Sequence, residues 1–76
     1  MKKDSDRVLR VLAANIRHLR KNRGLSQEGL AELTGLHRTY VGAIERAERN
    51  VTISTICAFA RVLNTSVSDL LVDKGR

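Results

Sequence analysis

The chain has 76 residues, of which 42% are hydrophobic and 29% charged, an ordinary globular composition at the small end of domain size. A chain of that length buries only about 60% of the surface it exposes when unfolded, which leaves no material for a substrate cleft beside a cofactor domain. Lys and Arg number 14 against 8 for Asp and Glu, a net charge of +6 that suits a polyanionic partner.

The apolar residues recur at the helical period, and the absence of proline fits a helical chain with an aliphatic core. A first helix is expected over about residues 6–22, with Val8, Leu9, Leu12, Ala13, Ile16 and Leu19 on one face. Asp4, Ser5 or Asp6 is positioned to cap it, and Gly24 to end it in the left-handed conformation. Ser26 is placed to cap a second helix of about 27–33, containing Leu30, Ala31 and Leu33. After the turn Thr34-Gly35-Leu36, a third helix runs over about 38–46 with Val41 and Ile44 inward. Thr52 caps a fourth helix of about 53–63 whose Ile53, Ile56, Phe59, Ala60 and Leu63 face the core. Asn64 provides a left-handed stop. Ser66 then starts a fifth helix through about Val72, and a frayed tail follows from Asp73.

The expected architecture is a single all-α domain over 1–76, a compact five-helix bundle. Its charge is uneven. Residues 1–25 carry eight basic and two acidic side chains, with Lys2, Lys3, Arg7, Arg10, Arg17, Arg20, Lys21 and Arg23 supplying the surplus. A solvated helix face is the plain reading of that surplus. The single cysteine, Cys57, allows no internal disulfide and no Cys-based metal site, which fits a reducing, cytoplasmic compartment. Its apolar spacing makes it a small buried hydrophobe. His18 is expected at the surface, and neither histidine has a ligand at metal spacing. No apolar run reaches membrane-spanning length. No paired carboxylates or nucleophile–base set appears, so neither an enzyme nor a cofactor is expected.

The informative stretch is Gln27 to Arg46. Two helices crossing through a short turn need a small residue where their axes approach, here Ala31. They need a residue free to take positive φ in the turn, here Gly35. Val41 and Ile44 then pin the second helix of the pair, leaving Arg38, Thr39, Gly42, Ala43 and Arg46 outward, on a helix of a size the DNA major groove admits. Glu45 beside Arg46 reads as a structural ion pair.

These residues, with Arg20-Lys21-Asn22-Arg23-Gly24-Leu25-Ser26-Gln27-Glu28 before them and Ile44-Glu45-Arg46 after, resemble the Cro/cI-type (xenobiotic-response-element) helix-turn-helix DNA-binding domain, with its lambda repressor-like fold. The resemblance runs from about Ile16 to Leu71. His37-Arg38-Thr39-Tyr40-Val41, then Glu48-Arg49-Asn50 and Ile53, further resemble the controller proteins of bacterial restriction–modification systems. Short phage and plasmid regulators share the stretch, and an antitoxin, which also binds its own operator, is the alternative within the class.

The resemblance implies a role for each matching residue. Gln27 falls at the family's phosphate-contacting position, and Arg38 at its first base-reading position, where arginine pairs with guanine O6 and N7. Thr39 reaches a base edge or thymine methyl. Tyr40 bonds a phosphate or packs on a thymine methyl, and Ala43 offers a methyl where relatives carry longer readers. His37, as N-cap or phosphate neighbour, stands with Arg46, Asn50 and Arg17 on the DNA backbone. Gly29 replaces a common Glu, which removes the capping-box partner of Ser26. Gly42 is a second helical glycine, either neutral or leaving room for DNA backbone or a neighbouring side chain.

A dimer on a palindromic operator follows from the resemblance, with double-stranded DNA as partner and autoregulation as the task. The dimer surface is expected at the C-terminal end, about 63–72, from Leu63, Val67, Leu70, Leu71 and Val72. In related activators an acidic surface near helices 2 and 3 meets RNA polymerase, and Glu28 and Glu32 stand there. The reading from another class is a helical protein-interaction adaptor, against which the basic excess, Arg38 and Gln27 argue.

Overall fold

A computed structural model describes residues 2–76, with side chains from Asp4 onward; Met1 and the side chains of Lys2 and Lys3 lie outside the described residues. Five helices follow in order: α1 (Lys2–Asn22), α2 (Gln27–Thr34), α3 (Arg38–Glu45), α4 (Ile53–Val62) and α5 (Val67–Leu70). No strand occurs among the described residues.

The helix starts follow side-chain chemistry. Ser26, Thr52 and Ser66 each accept a hydrogen bond from the backbone N–H three residues on, at Gly29, Thr55 and Asp69. Helix α1 begins earlier than expected. Asp4, Ser5 and Asp6 lie within it rather than capping it, since nothing in that stretch breaks a helix and Asp4 in the first turn suits the helix dipole. Helix α5 is shorter than expected, a single turn.

Four turns share one device: a left-handed residue, with the next N–H reaching back five residues to a carbonyl of the preceding helix. Gly24, Gly35, Ala47 and Asn64 take φ of 68°, 78°, 58° and 56°. The returning bonds are Leu25 to Arg20, Leu36 to Ala31, Glu48 to Ala43 and Thr65 to Ala60, at 2.9–3.1 Å. Ala47 is the costly member, because its Cβ disfavours this conformation by about 1–2 kcal/mol. Ala47→Gly is expected to stabilise the fold by about 0.5–1 kcal/mol, that strain less glycine's extra unfolded-chain entropy. A urea midpoint at or below wild type would contradict it.

Helix α1 packs on α3 and α5, α2 on α3 and α4, and α4 on α5. Phe59, Ile16, Leu30, Val41 and Leu70 are fully buried at the centre, with Leu12, Ile44, Ile56 and Leu63 around them. Asn15 is 2% exposed and its Nδ2 donates to the carbonyls of Leu70 and Val72 at 2.8 and 2.9 Å. It thereby satisfies carbonyls that the end of α5 leaves open.

Several apolar residues fall elsewhere than their spacing suggests. Ile53 is 69% exposed and Val8 47% exposed, not core. Cys57 is exposed rather than buried, one helical turn after Ile53 on the outer side of α4. In the expected dimer region, Leu63 and Leu70 are buried in the chain's own core and Val67 packs against it. Only Leu71 and Val72 of that set are exposed.

Candidate nucleic-acid interface

Helix α2 packs on α3, Ala31 is buried at 5% exposure, and the left-handed Gly35 sets the turn. Buried Val41 and Ile44 pin α3 from below. His37 caps α3, its Nδ1 accepting from the Thr39 N–H at 3.1 Å, so the ring's remaining donor is Nε2.

The outer edge of this pair forms an open cleft where Gln27, Glu28, Arg38, Thr39, Gly42 and Arg46 meet. Arg38 and Arg46 are exposed, and each is paired with a carboxylate: Arg38 Nη1 lies 2.9 Å from Glu28 Oε1, and Arg46 Nε donates to Glu48 Oε1 at 3.0 Å. Exposed pairs of this kind contribute about 0–1 kcal/mol, so both guanidiniums are readily exchanged to a stronger anion. Glu28 is exposed and pairs with Arg38 on the rim of the cleft.

Behind the cleft lies a buried ionic group. Arg20 Nε and Nη2 donate to the two oxygens of Glu45 at 2.6 and 2.9 Å, and Arg20 Nη1 donates to the Leu25 carbonyl at 2.9 Å. Gln27 Nε2 adds a bond to Glu45 Oε1 at 3.0 Å. Arg20 thus belongs to the scaffold and not to the exposed basic surplus. Glu45 pairs across the fold with Arg20, whereas its sequence neighbour Arg46 pairs with Glu48.

A family model described as helix-turn-helix matches residues 16–70. The chain belongs to the helix-turn-helix family. This helix-turn-helix protein is 54% identical over 68 residues to control protein C.SmaI of Serratia marcescens, covering 90% of this chain and 81% of that one. Among solved structures, the restriction–modification controller protein C.AhdI from Aeromonas hydrophila superposes with a TM-score of 0.78 at 44% identity, over 82% of this chain and 94% of that one. The hypothetical transcription factor NHTF from Neisseria superposes at 0.85 with 43% identity, over 88% and 77%. The controller resemblance read in the sequence is thus shown.

Within the helix-turn-helix protein the expected contact residues do not all reach the same surface. Gln27, Arg38, Thr39 and Arg46 converge on the cleft. Tyr40 is half-buried against the core; its hydroxyl donates to the Asn50 carbonyl at 3.3 Å and the Arg49 guanidinium stands 5.5 Å from its ring centre. Asn50 is exposed on the loop after α3. Arg17 is exposed on α1, beside the same depression as Arg46. Gly42 and Ala43 correct the expectation that both face outward. Gly42 is buried, and Ala43 is only 7% exposed. Helix α3 is packed by α1 as well as α2, which leaves its first turn and one edge open. The Arg20–Glu45 pair was not legible, because the partners are 25 residues apart and a lone arginine in a basic stretch carries no mark of burial.

Proposed function

We propose that this protein regulates transcription by binding, as a homodimer, a palindromic DNA operator, in the manner of a restriction–modification controller that acts on its own promoter. DNA-binding regulation follows from the family and from relatives that are themselves controller proteins. The observation that carries the finer reading is the convergence of Gln27, Arg38, Thr39 and Arg46 on the open edge of α3.

A helix with one open edge reads a few base pairs. Specific affinity in the usual range then needs two copies on half-sites about 34–36 Å apart. In this reading the N-terminus of α2 rests on a phosphate, helped by Gln27 and the free N–H groups of the first turn. Arg38 leaves Glu28 for guanine. Thr39 reaches the adjoining base, and Tyr40 packs at the edge of the contact. Arg46, Asn50, His37 and Arg17 supply backbone attraction. Ala43, nearly buried, takes no part.

Of residues 63–72, Leu71 and Val72 remain exposed, and the pairing surface best supported joins Leu71 to residues of α1 and α4. Val8, Leu9, Val51, Ile53 and Leu71 line an apolar groove between α1, the start of α4 and the end of α5. Exposed apolar side chains gathered this way mark an interaction site, and a second copy of the chain is the occupant that a two-fold operator requires.

The test is titration of a symmetric duplex from the region upstream of the coding sequence, at several salt concentrations. A dimer that places Arg17 and Arg46 of each copy on phosphates loses affinity as salt rises. Arg38→Ala is expected to cost about 1–3 kcal/mol and to flatten preference at one base pair per half-site. An equal loss on all sequences would make Arg38 a backbone contact only. A shallow salt dependence and indifference to sequence would favour the interaction adaptor.

A further inference from the structure

We propose that Gly42 is a positioning residue for the backbone contact of Gln27: the missing side chain in α3 is the space in which the Gln27 amide is held. The inference deepens the DNA-binding reading and rests on it.

Three observations lock the orientation of that amide. Glu45 is buried and its carboxylate accepts from Arg20 through both oxygens. An ionised carboxylate only accepts, so the Gln27 group facing it at 3.0 Å must be Nε2. The amide oxygen therefore faces Gly42, one turn earlier than Glu45 on the same helix. There a Cβ placed on Gly42 would lie 3.3 Å from Gln27 Oε1 and 3.2 Å from Arg46 Nη1. Both distances are tighter than ordinary contact, so any side chain at 42 displaces the amide, the guanidinium or both.

The amide nitrogen has two hydrogens, and Glu45 takes one. The second is left for a phosphate oxygen. Its direction is set by a relay running from Arg20 through Glu45 to Gln27, and it survives only while nothing pushes on Oε1. Glycine is the poorest helix former after proline, and α3 carries one at a buried position. On this account the residue lowers helix stability and raises DNA affinity, so the two properties separate on substitution.

Gly42→Ala is expected to weaken operator binding about tenfold, because a dimer loses an oriented hydrogen bond at both half-sites. It is expected to raise the Tm by about 4 °C, since alanine restores helix propensity in a domain of this size. The deciding measurement is a double-mutant cycle with Gln27→Ala. In the Gln27→Ala background the Gly42→Ala loss disappears. The salt dependence stays that of the wild type, since Gln27 is uncharged.

The same tenfold loss in both backgrounds overturns the proposal, and so does wild-type affinity in Gly42→Ala. A loss that lowers the salt dependence by about one phosphate contact per half-site assigns the effect to Arg46 and also overturns it. If Gly42→Ala fails to fold, the double variant decides. Recovery of the fold when Gln27 is cut back supports the collision, and persistent unfolding refutes it. Failure of the wild-type protein to bind any duplex would instead remove the DNA-binding reading itself.

Discussion

Glu45→Ala is expected to bring the protein close to unfolding at 25 °C. Glu45 is 4% exposed and receives three hydrogen bonds, two from Arg20 and one from Gln27. Removing one partner of a buried pair leaves the other charge without compensation, a loss of about 3–5 kcal/mol. A domain of this size has a total stability of roughly 4–11 kcal/mol, so the variant retains little. Urea unfolding followed by circular dichroism measures it. A midpoint within experimental error of wild type would mean that solvent reaches Arg20 and that the pair is ordinary surface chemistry. The double replacement Arg20→Met with Glu45→Leu distinguishes the penalty of a stranded charge from the worth of the bridge. It is expected to recover most of the stability, since apolar pairs of similar volume substitute well for buried ion pairs. It is not expected to recover DNA affinity, because Gln27 then has no carboxylate to orient it.

The second large effect concerns assembly. On the proposed dimer, Ile53→Asp is expected to shift sedimentation from dimer to monomer, and to weaken operator binding about a thousandfold, toward non-specific affinity. Ile53 is 69% exposed, so the substitution leaves the monomer's core intact and its Tm serves as the control. Leu71→Asp, on the other wall of the same groove, is expected to behave alike. A dimer unchanged in both variants would move the interface to another face. Leu63→Asp and Leu70→Asp are unsuitable tests, because both side chains are buried and the variants would unfold first.

What could be read directly from the sequence was local chemistry. Ser26, Thr52 and Ser66 announce helix starts because their hydroxyls complete the first turn, and Gly24, Gly35 and Asn64 announce stops because they tolerate positive φ. The periodic apolar residues and the Ala31, Gly35, Val41, Ile44 spacing then suffice for an all-helical fold with two crossing helices. Ala47 carries no such mark, because alanine is not a residue expected in the left-handed region. Spacing alone puts Ile53 in line with Ile56 and Phe59, although it opens its helix beside a groove. That Leu63 and Leu70 belong to the core and not to the dimer surface expected over 63–72 cannot be judged without the way α1 lies across α5. In the site, Arg38 and Gln27 were legible from position. The support beneath them was not, because Arg20, Glu45 and Gln27 meet only through tertiary packing.

Helix α5 is four residues long, far too short to persist by itself. It stands because Leu70 is fully buried in the core and because the carboxamide of Asn15, reaching from the middle of the first helix, holds the carbonyls of Leu70 and Val72. Leu71 follows directly on that clasp, and Val8 lies two turns back along the helix that provides it. The patch where a second copy would seat is therefore stitched from opposite ends of the chain. Loosening the Asn15 clasp would disturb that patch while leaving α2 and α3, which contribute none of its lining, in place.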